Sequence, residues 1–66
     1  MQIICNGKER TMPEGSTLAD LLDELKLEPG TVVAEINTKI IERDHYGREV
    51  LHNGDAVELI RFVGGG

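Results

Sequence analysis

The sequence predicts an α+β fold: a mixed sheet of four to five strands with one main helix packed on one face. Three observations carry this prediction. A short strand-like run is followed at once by Asn6-Gly7, a strong hairpin signal. A leucine stripe of helical period occupies residues 18–25. Runs rich in β-branched residues, or alternating in polarity, recur at 32–36 and 56–63.

Residues 1–6 read as the first strand, with Met1, Ile3 and Cys5 on one face and Gln2, Ile4 and Asn6 on the other. A type I′ turn needs positive φ at both central residues, which Asn6-Gly7 accepts. Residues 8–12 form the return strand, and Pro13-Glu14-Gly15 breaks it. Either Ser16 or Thr17 can cap free backbone N–H groups, and Thr17 with Asp20 has capping-box spacing. Leu18, Leu21, Leu22 and Leu25 then fall at i, i+3, i+4 and i+7, while Asp20, Asp23, Glu24 and Lys26 take the opposite side. Early acids and a late lysine suit the helix dipole. Pro29-Gly30 is expected to end the helix, near Leu27.

Val32–Ile36 is short and β-branched, hence a strand. Residues 37–39 can turn the chain into Ile40-Ile41, a brief strand expected at a sheet edge. Residues 42–49 are mixed and polar and read as a loop that could hold one helical turn. Asn53-Gly54-Asp55 is a second turn signal. Residues 56–63 are the last strand, with Val57 and Leu59 on one face and Glu58, Ile60 and Phe62 on the other. A hairpin followed by a helix crossing to a parallel neighbour makes a right-handed connection. With the last strand beside the first, the arrangement is a β-grasp in which Leu18, Leu22 and Leu25 cover Met1, Ile3, Val57 and Leu59. One domain over residues 1–66 is expected, without repeats or a linker.

Length and composition exclude several function classes. A chain of 66 residues can build only one small core, so an enclosed pocket for a large substrate is not expected, and surfaces and tails are the better places to look. The hydrophobic share of 39% and the clear periodicities argue against disorder. One cysteine, Cys5, leaves no internal disulfide and no Cys-only zinc or iron–sulfur site. Its inward position marks it as a small buried hydrophobe rather than a persulfide carrier. His45 and His52 with Asp44 match no standard metal spacing. The net charge of −5, with no basic cluster to offset it, disfavours nucleic acid and favours docking on a basic partner surface. No apolar run approaches the length of a membrane span, so a soluble cytoplasmic protein is the expectation. No Ser/His/Asp or paired-carboxylate arrangement stands out, so catalysis by this chain alone is not expected.

The chemistry is expected at Gly64-Gly65-Gly66, directly after the last strand. Glycine has no Cβ, so a flexible tail of this kind can thread a narrow groove and bring its backbone close to a nucleotide. A terminal α-carboxylate is inert toward sulfur nucleophiles at neutral pH until it is joined to AMP, which then leaves readily. That activation needs a separate enzyme, because nothing here resembles a phosphate-binding loop. Ile60 and Phe62, on the face away from the helix and just before the tail, are the candidate partner surface.

These features together resemble the ThiS family. The resemblance rests on Asn6-Gly7-Lys8, Thr17-Leu18 with Leu21-Leu22 and Leu25, Val33-Ala34-Glu35-Ile36-Asn37, and Arg43. It extends through Asn53-Gly54-Asp55 with Val57-Glu58-Leu59 to the close Phe62-Val63-Gly64-Gly65-Gly66, and so covers essentially the whole chain. It implies a ubiquitin-like β-grasp that binds no cofactor itself. A ThiF-type enzyme would use ATP to adenylate Gly66, with Gly64 and Gly65 as the threadable tail. A sulfurtransferase or cysteine desulfurase would supply sulfur, and a ThiG-type thiazole synthase would take it from the thiocarboxylate to build the thiazole of thiamine. Three residues depart from the family pattern: Thr38 stands where glycine is frequent, Glu42 where proline is, and Tyr46 where tryptophan is. They bear on turn geometry and partner choice, not on the tail. Competing expectations are a related carrier for molybdopterin, cysteine or methionine synthesis, a ubiquitin-like modifier joined to lysines through Gly66, or an interaction domain with an inert tail.

Overall fold

A computed structural model describes residues 1–62. The expected tail at Gly64, Gly65 and Gly66 therefore lies outside the described residues.

The first two strands, β1 (Gln2–Cys5) and β2 (Lys8–Thr11), pair antiparallel across Asn6 at φ 51° and Gly7 at φ 81°. Both angles are positive, as the primed hairpin turn requires. Helix α1 (Leu18–Glu24) starts at the expected capping box. The Asp20 amide donates to Thr17 Oγ1 at 3.2 Å, and the Thr17 amide donates to Asp20 Oδ2 at 2.9 Å.

The helix stops earlier than Leu27, and a different residue stops it. Lys26 adopts φ 58°, its amide reaches the Asp23 carbonyl at 3.0 Å, and the Leu27 amide reaches the Leu22 carbonyl at 2.9 Å. This paired arrangement caps the last carbonyls with a left-handed residue, a place glycine usually takes. Pro29-Gly30 instead opens a separate 3₁₀ turn, Pro29–Thr31.

Strands β3 (Val32–Ile36), β4 (Lys39–Ile41) and β5 (Ala56–Arg61) complete one five-stranded sheet in the order β2-β1-β5-β3-β4. Only β1 and β5 run parallel; the other pairs are antiparallel. This is the ubiquitin-like β-grasp, with β4 at an edge as expected. One detail differs. The helix does not lead to a neighbouring parallel strand, since β1 and β5 lie between β2 and β3. The crossing spans about 14 Å at ~4.8 Å per strand. Seven helical residues rise about 10 Å, and the flanking segments make up the rest.

The core lies between the sheet and the helix. Ile3, Cys5, Val32, Ala34, Ile36, Val57 and Leu59 from the strands meet Leu18, Leu21 and Leu22 from α1, while Met1 and Leu25 are only partly buried. Residues 42–49 form more than a polar loop. They hold a 3₁₀ turn, Arg43–His45, followed by Tyr46, whose buried hydroxyl donates to the Val32 carbonyl at 3.0 Å. Their carbonyls also serve the helix start: the Leu18 amide donates to Glu49 at 2.8 Å and the Ala19 amide to Tyr46 at 3.0 Å. This segment, with buried Leu51, closes the end of the core that one short helix leaves open.

Candidate functional site

The sheet has two unlike faces. Period-two alternation sends Ile3, Cys5, Val57 and Leu59 under the helix and leaves Ile4, Glu58 and Ile60 on the far side. Direct cross-strand partners share a face, so the register extends this outer surface across the sheet. Val33 lies opposite Ile60, Glu35 lies opposite both Glu58 and Ile40, and Ile4 lies opposite Glu9.

Large apolar side chains collect there. Ile40 is 66% exposed, Ile60 53%, Phe62 46% and Ile4 41%; among the described residues only Val50 elsewhere joins them as an exposed large hydrophobe. Among the described residues no element covers this face. An uncovered sheet face that carries several exposed large apolar side chains is a candidate contact surface on a small domain.

Ile60 and Phe62, the two residues named for a partner surface, are both exposed. Ile60 stands near the end of β5, and Phe62 follows just past it. The Phe62 amide donates to the Thr31 carbonyl at 3.2 Å, so pairing with the β3 side continues one residue beyond the strand. Arg43 lies close to this exit, with Nη2 donating to the Gly30 carbonyl at 3.4 Å. The described chain thus leads out of the sheet beside an apolar surface, toward the three glycines.

Asparagines secure the strand ends around this face. Asn6 Oδ1 accepts from the Leu59 amide at 2.8 Å, where β1 has ended and β5 runs on. Asn37 Oδ1 accepts from the Ala56 amide at 3.0 Å while its Nδ2 donates to Asp55 at 3.0 Å. Asn53 Oδ1 accepts from the Gln2 amide at 2.8 Å. These bonds satisfy backbone donors that no strand reaches, and they hold the central strands level.

Cys5 is buried, and burial pushes its thiol up, with Arg10 acting against that and Glu58 with it. A raised thiol carries little thiolate at neutral pH, which suits packing and not sulfur chemistry. Among the described residues no three potential metal ligands gather, and His52 instead lies 3.9 Å from Asp55. No helix among them is long and apolar enough to cross a membrane.

Comparison with known proteins decides the family, because the ThiS family model matches residues 2–66. The chain belongs to the ThiS family. It is 37% identical over 62 residues to the sulfur carrier protein ThiS of Bacillus subtilis, covering 92% of this chain and 94% of that protein. In structure it is similar to the thiamine biosynthesis protein ThiS of Geobacter metallireducens, with a TM-score of 0.84, 35% identity and complete coverage of both chains. It also matches proteins named thiazole synthase from Paramagnetospirillum magneticum and Magnetococcus marinus, at 33% and 38% identity over 66 residues. The chain spans only 20% of the length of each of these two.

Sequence reasoning missed part of the surface. The sequence reading puts Ile4 and Ile40 on strands but not in the site, and gives Glu35 and Glu58 no role at this surface. The missing signal was register. Alternation tells which residues of one strand share a face, but not which residues of the next strand stand beside them.

Proposed function

We propose that this chain is a sulfur carrier for thiazole formation in thiamine biosynthesis, acting as a co-substrate of partner enzymes rather than as a catalyst. The observation that carries this reading is the match to the ThiS family through to residue 66, on a β-grasp whose last strand leads past an open apolar face to three glycines. In the first step a carboxylate oxygen of Gly66 attacks the α-phosphorus of ATP, and pyrophosphate leaves. The acyl adenylate then carries AMP as leaving group. A persulfide held by a sulfurtransferase or cysteine desulfurase attacks the acyl carbon with its outer sulfur and displaces AMP. A thiol then attacks the donor's sulfur in the acyl disulfide, forming a disulfide with the donor as the acyl-bound sulfur leaves. The product is a thiocarboxylate on Gly66.

A ThiF-type enzyme supplies the nucleotide pocket, and this chain supplies the end group and a handle. Gly64 and Gly65 let the backbone approach the nucleotide without side-chain clash. Ile60 and Phe62 dock the body beside the entry to that pocket. Thiazole synthase as the sulfur acceptor is supported by relatives of that name in which a stretch matching this whole chain makes up a fifth of the polypeptide. Joining two partners in one chain raises their effective concentration for each other.

Intact-mass spectrometry tests this reading after incubation with ATP, a ThiF-type enzyme and a sulfur source. The expected product is a single oxygen-to-sulfur exchange at the terminus, lost when Gly65 and Gly66 are deleted from a chain that still folds. Persistent lysine conjugates would assign a modifier instead. Reconstitution with acceptors for molybdopterin, cysteine or methionine synthesis separates the related carriers.

A further inference from the structure

The charges of the sheet are sorted by face. The four cationic strand residues are Lys8, Arg10, Lys39 and Arg61. Their cross-strand partners are Cys5, Ile3, Ile36 and Val32, all core residues, so these cations rise from the helix-covered side. The three strand carboxylates, Glu9, Glu35 and Glu58, take the outer side. Glu35 and Glu58 stand directly opposite each other on β3 and β5, in the middle of that face. Like charges in direct opposition destabilise a sheet. Among the described residues neither carboxylate joins an ion pair, and the strand cations lie on the wrong side of the sheet to reach them.

Docking makes this arrangement more costly unless the partner answers it. Ile40 is the other cross-strand neighbour of Glu35, and Ile60 and Val33 form the next opposed pair along the same two strands. Any partner that covers these apolar side chains also strips water from the two carboxylates between them. Burying an unmatched charge is strongly unfavourable, whereas a cation set between both carboxylates turns the repulsion into attraction.

We infer that Glu35 and Glu58 are specificity-determining residues that together receive one arginine or lysine of thiazole synthase, set among Ile40, Ile60 and Val33. The inference rests on the proposed function for the identity of this partner. The pair acts in two directions. It costs the free domain some stability, and it rejects a partner that offers only an apolar surface or an acid at that point.

Titration calorimetry with the thiazole synthase of the same organism tests this, at about 50 and 200 mM salt. The variants are E35Q, E58Q, the double variant, and E9Q as an outer-face carboxylate beyond the pair. E35Q and E58Q are each expected to weaken binding about tenfold, the double variant hardly more than either single one, and E9Q by no more than about twofold. The same two substitutions are expected to raise the melting temperature of the free domain by about 1–5 °C, which a merely structural carboxylate would not do. Wild-type binding should weaken with salt more steeply than binding by the double variant. The inference is overturned if E35Q and E58Q bind as wild type does, or lose no more than E9Q. If the wild-type chain does not bind thiazole synthase at all, the choice of partner under the proposed function falls with it, a result distinguishable from neutral variants of a chain that binds.

Discussion

The two faces of the sheet are made of the same five strands, yet they hold different residues to different standards. Under the helix, Ile3, Val32, Ala34, Ile36 and Val57 are packed against Leu18, Leu21 and Leu22, and each supports several others. On the outer face Ile4, Ile40 and Ile60 are equally apolar and remain exposed, with an opposed pair of glutamates among them. Hydrophobicity does not distinguish the faces. What distinguishes them is that one face has its covering element within the chain, and the other has none among the described residues.

The largest test of this difference sets a buried leucine against an exposed isoleucine. Leu22→Ala is expected to cost about 2–5 kcal/mol, a large share of the stability of so small a domain. Ile60→Ala is expected to cost less than about 0.5 kcal/mol, because no cavity opens. Urea unfolding measures both, and similar losses would break the comparison.

The second test reverses the readout. A double substitution of Ile60 and Phe62 by serine should leave the melting curve nearly unchanged and weaken docking to the adenylating enzyme by about tenfold or more. Leu22→Ala, in whatever fraction stays folded, should keep wild-type affinity. Surface plasmon resonance under conditions where both variants are folded would show whether the effects separate.

A smaller effect is expected at the hairpin that brings Ile40 to the outer face. Thr38 sits at φ 72°, a left-handed conformation that a β-branched residue rarely adopts, and Asn37 beside it is at φ 51°. The same turn geometry at Asn6-Gly7 is met by glycine. Thr38→Gly is therefore expected to stabilise the domain by about 0.5–1 kcal/mol, the gain in native strain exceeding the added freedom of the unfolded chain. Lys26→Gly, at the left-handed end of the helix, should act in the same direction.

The smallest effect concerns pH and the covered face. Burial raises the Cys5 thiol in the folded chain, so the unfolded chain ionises first as pH rises. The stability that the neutral thiol contributes is complete below the unfolded thiol value and is lost as pH climbs through the raised folded one. Cys5→Ala should flatten the alkaline side of the stability curve while lowering stability at neutral pH. An unchanged alkaline slope would show that the thiol is not shielded as the structure has it.

Local chemistry made much of this molecule legible in the sequence. Asn6-Gly7, the Thr17–Asp20 capping box and the leucine stripe each act over a few residues, so the hairpin, the start of the helix and its buried side could be read directly. Alternation in β5 likewise gave Ile60 its side of the sheet. The end of the helix was not legible, because lysine is an uncommon left-handed cap and Pro29-Gly30 offered a more familiar stop. The role of residues 42–51 was hidden for a related reason. Tyr46 is a lone aromatic in a polar stretch and Leu51 follows an equally apolar but exposed Val50, so only a distant carbonyl of Val32 and an open core end reveal their use. The strand order and the opposition of Glu35 and Glu58 belong to tertiary structure alone. Pairing between strands depends on backbone groups that every residue carries alike, so away from the tight hairpin turns the chain's local code is silent on which strands become neighbours. That choice is made by burial of one face, and it brings two glutamates 23 positions apart in sequence into direct opposition.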